Sequence, residues 1–89
     1  AASKHALRAI ADTLRREVNA FGVRVLSVYP GNTATAMQDA IQDYTGKRLE
    51  NQYLLQPEDI ASVVIHSLLL PRTAEVTDVQ IRPFRKAPA

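Results

Sequence analysis

The sequence predicts an α/β fold, namely a portion of a doubly wound parallel sheet. Three observations carry this prediction. Helix and strand signals alternate along the 89 residues, which favours parallel strands joined by a helical crossover. The first strand, over residues 23–29, is apolar at nearly every position, as in a strand covered on both faces. Only two strands are predicted, so we expect their neighbours to lie outside these residues, in the same larger domain.

A helix is predicted over residues 4–21, because apolar residues recur at spacings of three and four and so form one stripe. Gly22 ends this helix, as glycine does just past a C-terminus. On the polar face, Asp12 and Arg16 have the spacing of a favourable ion pair. The apolar stripe comprises Leu7, Ile10, Ala11, Leu14, Val18 and Phe21.

The strand over residues 23–29 is rich in β-branched residues and is closed by a Pro-Gly pair. After a loop, Thr35 can cap a short helix over residues 35–44. Residues 46–56 are polar and predict an irregular segment.

The next helix is predicted over residues 57–70. Pro57 suits the first helical position, and Glu58 and Asp59 oppose the positive end of the helix dipole. This helix is apolar on almost every side, so we expect it to be buried. Residues 76–82 alternate between apolar and polar side chains and predict the second strand.

Composition excludes several classes of function. The chain has no cysteine, hence no disulfide and no thiolate metal site, and neither His5 nor His66 has a second ligand at metal spacing. The longest apolar run, residues 63–70, is far shorter than the roughly 20 residues of a membrane span. The net charge of +2 is dispersed, which is typical of a solvated surface rather than a nucleic-acid interface. We expect a cytoplasmic protein that binds no metal, membrane or nucleic acid.

Four landmarks resemble the short-chain dehydrogenase/reductase family. The start, Ala-Ala-Ser-Lys, is similar to that family's active-site helix, which carries Tyr-x-x-x-Lys. Lys4 matches the lysine, and the tyrosine is expected immediately before Ala1. A Pro-Gly pair follows the first strand, residues 56–61 resemble a helix start of the family, and residues 79–83 resemble its last strand. The resemblance implies that residues 1–89 are the C-terminal half of one NAD(P)-binding, Rossmann-like domain.

The resemblance also implies a role for Lys4. Tyrosine and lysine four residues apart lie on one helix face. A free tyrosine has a pKa of about 10, and a cation within about 4–6 Å lowers that value by roughly 1–3 units. In the family this tyrosine exchanges a proton with a carbonyl or alcohol, and the lysine also binds the nicotinamide ribose. The implied activity is NAD- or NADP-dependent carbonyl reduction or alcohol oxidation.

Further site residues are implied on the same basis. Lys4, Pro30, Gly31, Thr33 and Thr35 would bind the cofactor, although Thr35 could serve only as a helix cap. The segment that closes over substrate in the family would include Met37, Tyr44 and Tyr53, which could instead be ordinary contacts beneath a loop.

One alternative interpretation stays open, and a second is disfavoured. The family's glycine-rich phosphate loop, catalytic serine and supporting asparagine have no counterpart in these residues, so the chain could be a catalytically inactive fragment or an interaction-only, dimerising remnant. An unrelated helical binding module would not explain a strand that ends in Pro-Gly. The expected partners are a small carbonyl or alcohol substrate, the missing N-terminal half, and a second copy bound through the helices.

Overall fold

A computed structural model describes residues 2–46 and 51–86, apart from the side chains of residues 38, 39 and 51. Two parallel strands pair over four residues, from Ser27 opposite Asp78 to Pro30 opposite Ile81. The connection between them contains two helices, so the predicted α/β crossover is confirmed. The elements are α1 (Ala2–Val18), β1 (Ser27–Pro30), α2 (Ala36–Thr45), α3 (Pro57–Leu68) and β2 (Asp78–Ile81), with short 3-10 turns at Asn19–Phe21 and Asn51–Tyr53.

The α-helix ends at Val18, three residues before the predicted end, and a 3-10 turn carries the chain on to Gly22; the predicted ion pair also differs. Gly22 adopts a φ of 78°, a left-handed conformation that favours glycine, and its N–H donates to the Asn19 carbonyl. Asp12 pairs with Arg15 at 2.8 Å rather than with Arg16. The prediction was wrong because the Arg15 guanidinium also donates to the carbonyl oxygens of Val25 and Thr77, which hold it toward the sheet.

The strands are shorter than the apolar pattern predicts. The ladder begins where the Ser27 N–H donates to the Thr77 carbonyl at 2.9 Å. One step earlier in the pleat, the Val25 N–H donates instead to Oε2 of Glu75 at 2.8 Å. A side chain therefore takes the place of a strand partner, and β1 begins at Ser27 rather than at residue 23.

The segment after α2 was predicted to be irregular and polar, but its described part contains buried apolar residues and regular backbone hydrogen bonds. Residues 47–50 of the predicted irregular segment lie outside the described residues. Leu54 and Leu55 are 7% and 6% exposed, among the most buried apolar residues described. Leu55 donates to the Asn32 carbonyl and accepts from the Ala34 N–H, both at 2.8 Å. This segment is thereby joined to the loop that follows β1.

The third helix begins as predicted but is not buried. Its first turn is closed by the Gln56 N–H, which donates to a carboxylate oxygen of Asp59 at 2.8 Å. Ile65 and Leu68 are 56% and 57% exposed, so the expectation of burial is wrong for the chain by itself. The reason is geometric, since a two-stranded sheet offers too little surface to cover a helix that is apolar on most sides.

The apolar core is correspondingly small. Among the described residues, only Ala11, Leu54 and Leu55 are buried apolar residues. Most of the α1 stripe stays exposed, with Ile10 at 65% and Phe21 at 82%. Within the described ranges no helix is long and apolar enough to cross a membrane.

Candidate active site

A cleft of about 900 Å³ opens between the first turns of α1 and the carboxyl end of the sheet. In open α/β sheets, ligands bind outside the carboxyl ends of the strands. The cleft therefore lies where a parallel sheet places its functional groups. Its lining comprises Ser3, Lys4 and Leu7 from α1, residues 28–31 from β1 and the turn after it, and residues 80–82 from β2 and beyond.

Lys4 projects from α1 into this cleft, where its side chain is half-buried. Its ammonium Nζ lies 4.8 Å from the centroid of the Tyr29 ring. That distance is within the range of a cation–π interaction, in which the negative face of the ring attracts the cation. The aromatic ring of β1 thus gives the ammonium a defined position at the end of the sheet.

Tyr29 brings a second polar group to the same cleft. Its hydroxyl is buried without a hydrogen-bond partner within the part of the chain that the structure describes. Buried hydroxyls are almost always hydrogen-bonded, so an orphan of this kind at a cleft points to a missing polar partner. Sequence reasoning missed Tyr29, and its signal was a large aromatic residue directly before the Pro-Gly pair.

The turn after β1 is held against the end of β2. The Gly31 N–H donates to the Ile81 carbonyl at 2.8 Å. A Cβ at position 31 would lie 3.3 Å from Cδ of Pro83, closer than most such contacts. The Thr33 hydroxyl donates back to the Gly31 carbonyl at 2.9 Å. Glycine is therefore favoured here by the close approach of a second chain segment, and Thr33 stabilises the turn.

The remaining predicted site residues are not all in one place. Thr35 lies immediately before α2, at the position predicted for it. Met37 and Tyr44 are on α2 with side chains 75% and 93% exposed, and neither lines the Lys4 cleft. Tyr53 is half-buried and lines a neighbouring cleft. The structure thus brings Lys4 together with the Pro-Gly turn and leaves the α2 residues apart.

The neighbouring cleft, of about 410 Å³, lies between the loop after β1 and the chain after β2. Arg82 lines both clefts, so the two adjoin at this residue. The dispersed net charge predicted a solvated surface, and this cleft was not predicted. The available signal was three cations within five residues directly after a strand. The lining comprises Asn32, Tyr53, Arg82, Pro83, Phe84, Arg85 and Lys86.

The opposite end of the sheet is organised by Glu75. Its carboxylate accepts hydrogen bonds from the Val25 N–H at 2.8 Å and from the Asn19 amide at 3.1 Å. The Val25 bond contributes most to lowering the pKa of Glu75, and Asn19, Arg15 and Arg24 lower it further, while partial desolvation opposes them. This carboxylate links α1, through Arg15, with the entry to β1 and the turn before β2, and it lines neither cleft.

Among the described residues, no group of three or more His, Cys, Asp or Glu side chains is arranged to hold a metal ion.

Comparison with known proteins connects this geometry to a family. The family model described as short chain dehydrogenase matches residues 1–45, which include α1, β1 and the Pro-Gly turn. An uncharacterized oxidoreductase of Staphylococcus aureus is 34% identical over 82 residues, which cover 92% of this chain and 33% of that protein. An uncharacterized oxidoreductase of Staphylococcus epidermidis is 35% identical over the same length.

A solved structure gives the same result in three dimensions. The crystal structure of a betaketoacyl-ACP reductase from Bacteroides thetaiotaomicron superposes with a TM-score of 0.75 at 26% identity. The match covers 91% of this chain and 34% of that one. The chain therefore spans about a third of the length of the relatives that it matches.

Proposed function

Because this chain belongs to the short-chain dehydrogenase family, we propose that the complete protein is a nicotinamide-dependent oxidoreductase that reduces a carbonyl group or oxidises a secondary alcohol. One observation carries the proposal: Lys4 and the Pro30-Gly31 turn line one cleft at the carboxyl end of the sheet. The S. aureus and S. epidermidis relatives are named as oxidoreductases, in agreement with this reaction class.

The cleft fits the nicotinamide end of NAD or NADP. The Lys4 ammonium offers three donors to ribose hydroxyls. Pro30 and Gly31 would line the nicotinamide side, with Thr33 and Thr35 on the loop beyond. When bound, the cofactor supplies or accepts the hydride. The predicted cofactor remains NAD or NADP, with no choice made between the two.

Lys4 would also act on the proton-transfer step. The family's tyrosine is expected one helical turn before Lys4, on the same face. An ammonium at that distance favours the phenolate and so lowers the pKa of the tyrosine toward neutrality. Proton exchange with the substrate oxygen is then efficient near physiological pH, because a catalytic pKa works best close to the operating pH.

We further propose that residues 1–89 are the C-terminal part of one Rossmann-like domain, completed by an N-terminal part and assembled as a cytoplasmic homo-oligomer through its helices. The exposed apolar stripe of α1 and the exposed face of α3 support this, because both require covering surfaces. The exposed α1 stripe equally favours the second candidate, a catalytically inactive remnant that dimerises. The two candidates differ in whether the complete protein turns over a carbonyl substrate.

The test is cofactor oxidation by the complete subunit with a panel of ketones and aldehydes, with NADH and NADPH in turn. We expect turnover by the parent and a loss of about 10²-fold or more in Lys4→Met, in line with the usual contribution of acid–base catalysis. The pH–rate profile of Lys4→Met should move alkaline, because the phenolate then forms only at higher pH. Lys4→Arg keeps the charge and should recover part of the rate.

The matched control is Arg16→Gln, which removes an exposed cation elsewhere on α1. Parental turnover and an unmoved pH profile in Lys4→Met would contradict the role of Lys4. The absence of turnover by the parent on every carbonyl would favour the inactive, dimerising remnant.

A further inference from the structure

We propose that the substrate carries an anionic group, a carboxylate or a phosphate, and that the cleft behind Arg82 binds it. This inference rests on the proposed function and names the substrate class for the same site. The cleft is the one lined by Asn32, Tyr53 and residues 82–86.

The charge of the cleft carries the first step. Arg82, Arg85 and Lys86 line it, and none of the described lining residues is acidic. All three side chains belong to exposed residues, and within the described parts of the chain none of them forms an ion pair. Three side chains of like charge therefore line one cleft. An anion bound there is attracted by all three and accepts hydrogen bonds from donors that have no described partner.

Donor geometry selects the kind of anion. A guanidinium presents a planar fork that matches a carboxylate or a phosphate with two parallel hydrogen bonds. Two of the three cations are arginines, and Lys86 adds a point charge. Charge-assisted bonds of this kind are shorter and stronger than neutral ones. The donor set is therefore suited to carboxylate and phosphate groups rather than to neutral hydroxyls.

The position of the cleft assigns the anion to the substrate. Arg82 lines this cleft and the Lys4 cleft alike. Asn32 directly follows the Pro-Gly turn, and the pairing of Thr33 with Leu55 brings Tyr53 beside that turn. A carbonyl compound that reacts next to Lys4 would extend its far end past Arg82. The anionic group would then lie among the cations, with the carbon chain against Tyr53 and Phe84.

The experiment uses the complete subunit and matched pairs of substrates that differ in charge. The first pair is 3-oxobutanoate and its methyl ester, and the second is dihydroxyacetone phosphate and dihydroxyacetone. We expect kcat/KM for the anionic member of at least one pair to exceed that of the neutral member by about tenfold or more, the usual worth of a hydrogen bond to a charged group. The pair that responds distinguishes carboxylate from phosphate.

The triple variant Arg82→Gln, Arg85→Gln, Lys86→Gln should abolish this preference by raising KM for the anionic substrate, with little change for the neutral one. Arg16→Gln should keep the preference, because it removes an exposed cation away from the cleft. Retained turnover of the neutral substrate also shows that the triple variant folds.

Each remaining outcome is decisive. Equal kcat/KM for charged and neutral members, with turnover of both, overturns the inference and leaves the proposed function intact. A triple variant that raises KM for NADPH alone also overturns it, because the cations would then serve the cofactor. Failure of the parent to reduce any member of either pair, or any neutral ketone of the panel, overturns the proposed function and this inference together.

Discussion

At the scale of single residues, Lys4 and Tyr29 form a cation–π contact. The ammonium of one lies over the ring of the other at 4.8 Å, although 25 positions separate them in the sequence. Lys4 has no described ion pair that would otherwise fix its position. The ring is therefore the group that orients the ammonium before a ligand arrives.

Substitution of Tyr29 tests this coupling in the complete subunit. Tyr29→Leu removes the ring and should raise KM for the cofactor and lower kcat several-fold, because the ammonium loses its preferred position. Tyr29→Phe keeps the ring and removes only the hydroxyl, so it should retain most of kcat. The measurement is steady-state kinetics of both variants with NADH and NADPH.

A double-mutant cycle separates this role from simple packing. In a Lys4→Met background, Tyr29→Leu should have little further effect on kcat, because there is no ammonium left to orient. Full additivity of the two substitutions would mean that the ring acts independently of Lys4.

The resemblance to a family could predict Lys4 and the Pro-Gly turn, because both belong to short, recognisable motifs. It could not predict the partner of Lys4, since a cation–π contact joins residues whose proximity is set by where α1 lies relative to β1. The cleft behind Arg82 was missed for a related reason. Three basic residues after a strand look like solvated surface until the loop after β1 is seen beside them.

At the scale of secondary structure, local sequence signals predicted the helices better than they predicted the bounds of the strands. The end of the 3-10 turn after α1 and the start of α3 depend on residues within one turn, namely Gly22, Pro57 and Asp59. The start of β1 depends on Glu75, which lies 50 positions from Val25 and takes its N–H. No local pattern contains that information, which is why the apolar run predicted a longer strand.

The contacts that Glu75 forms between α1 and the sheet should make the stability of the fold depend on pH. Its pKa is lowered in the folded state from an ordinary value of 4.5, chiefly by the hydrogen bond from Val25. A group with a lowered folded pKa stabilises the fold above its unfolded pKa, and this contribution is lost as pH falls through the folded value. Glu75→Gln should therefore lower the Tm of the complete subunit at pH 7.

The difference in Tm between the parent and Glu75→Gln should shrink as pH falls below about 4.5, the ordinary value for this group. Thermal unfolding followed by circular dichroism across that range measures it. Glu17→Gln is the matched control, because Glu17 is an exposed carboxylate on α1. A Tm difference independent of pH would show that the charge of Glu75 does not stabilise the contacts between α1 and the sheet.

At the scale of the whole molecule, the described residues bury too little apolar surface to be self-sufficient. None of their side chains is fully buried, and large apolar residues on α1 and α3 are exposed. Ordering the backbone costs roughly 1–2 kcal/mol for each residue, and a core of this size offsets only part of that cost. The relatives, about three times as long, have further chain with which to cover these faces.

The 89-residue chain by itself should therefore not behave as a stable monomer. We expect association that increases with concentration in light scattering, together with a broad thermal transition in circular dichroism. Ile10→Lys should reduce association if the α1 stripe mediates it, and Ile65→Lys tests the α3 face in the same way, since both residues are more than half exposed. A sharp two-state transition in a monomer would contradict this prediction.

The contact between Gly31 and Pro83 has an evolutionary consequence. Two segments that are far apart along the chain approach so closely that a Cβ at position 31 would lie 3.3 Å from the proline ring. The fitness effect of a substitution at one position should then depend on the residue at the other. In an alignment of relatives, a side chain at position 31 should coincide with a smaller residue or a displaced backbone at position 83, and lineages that retain the proline should retain the glycine.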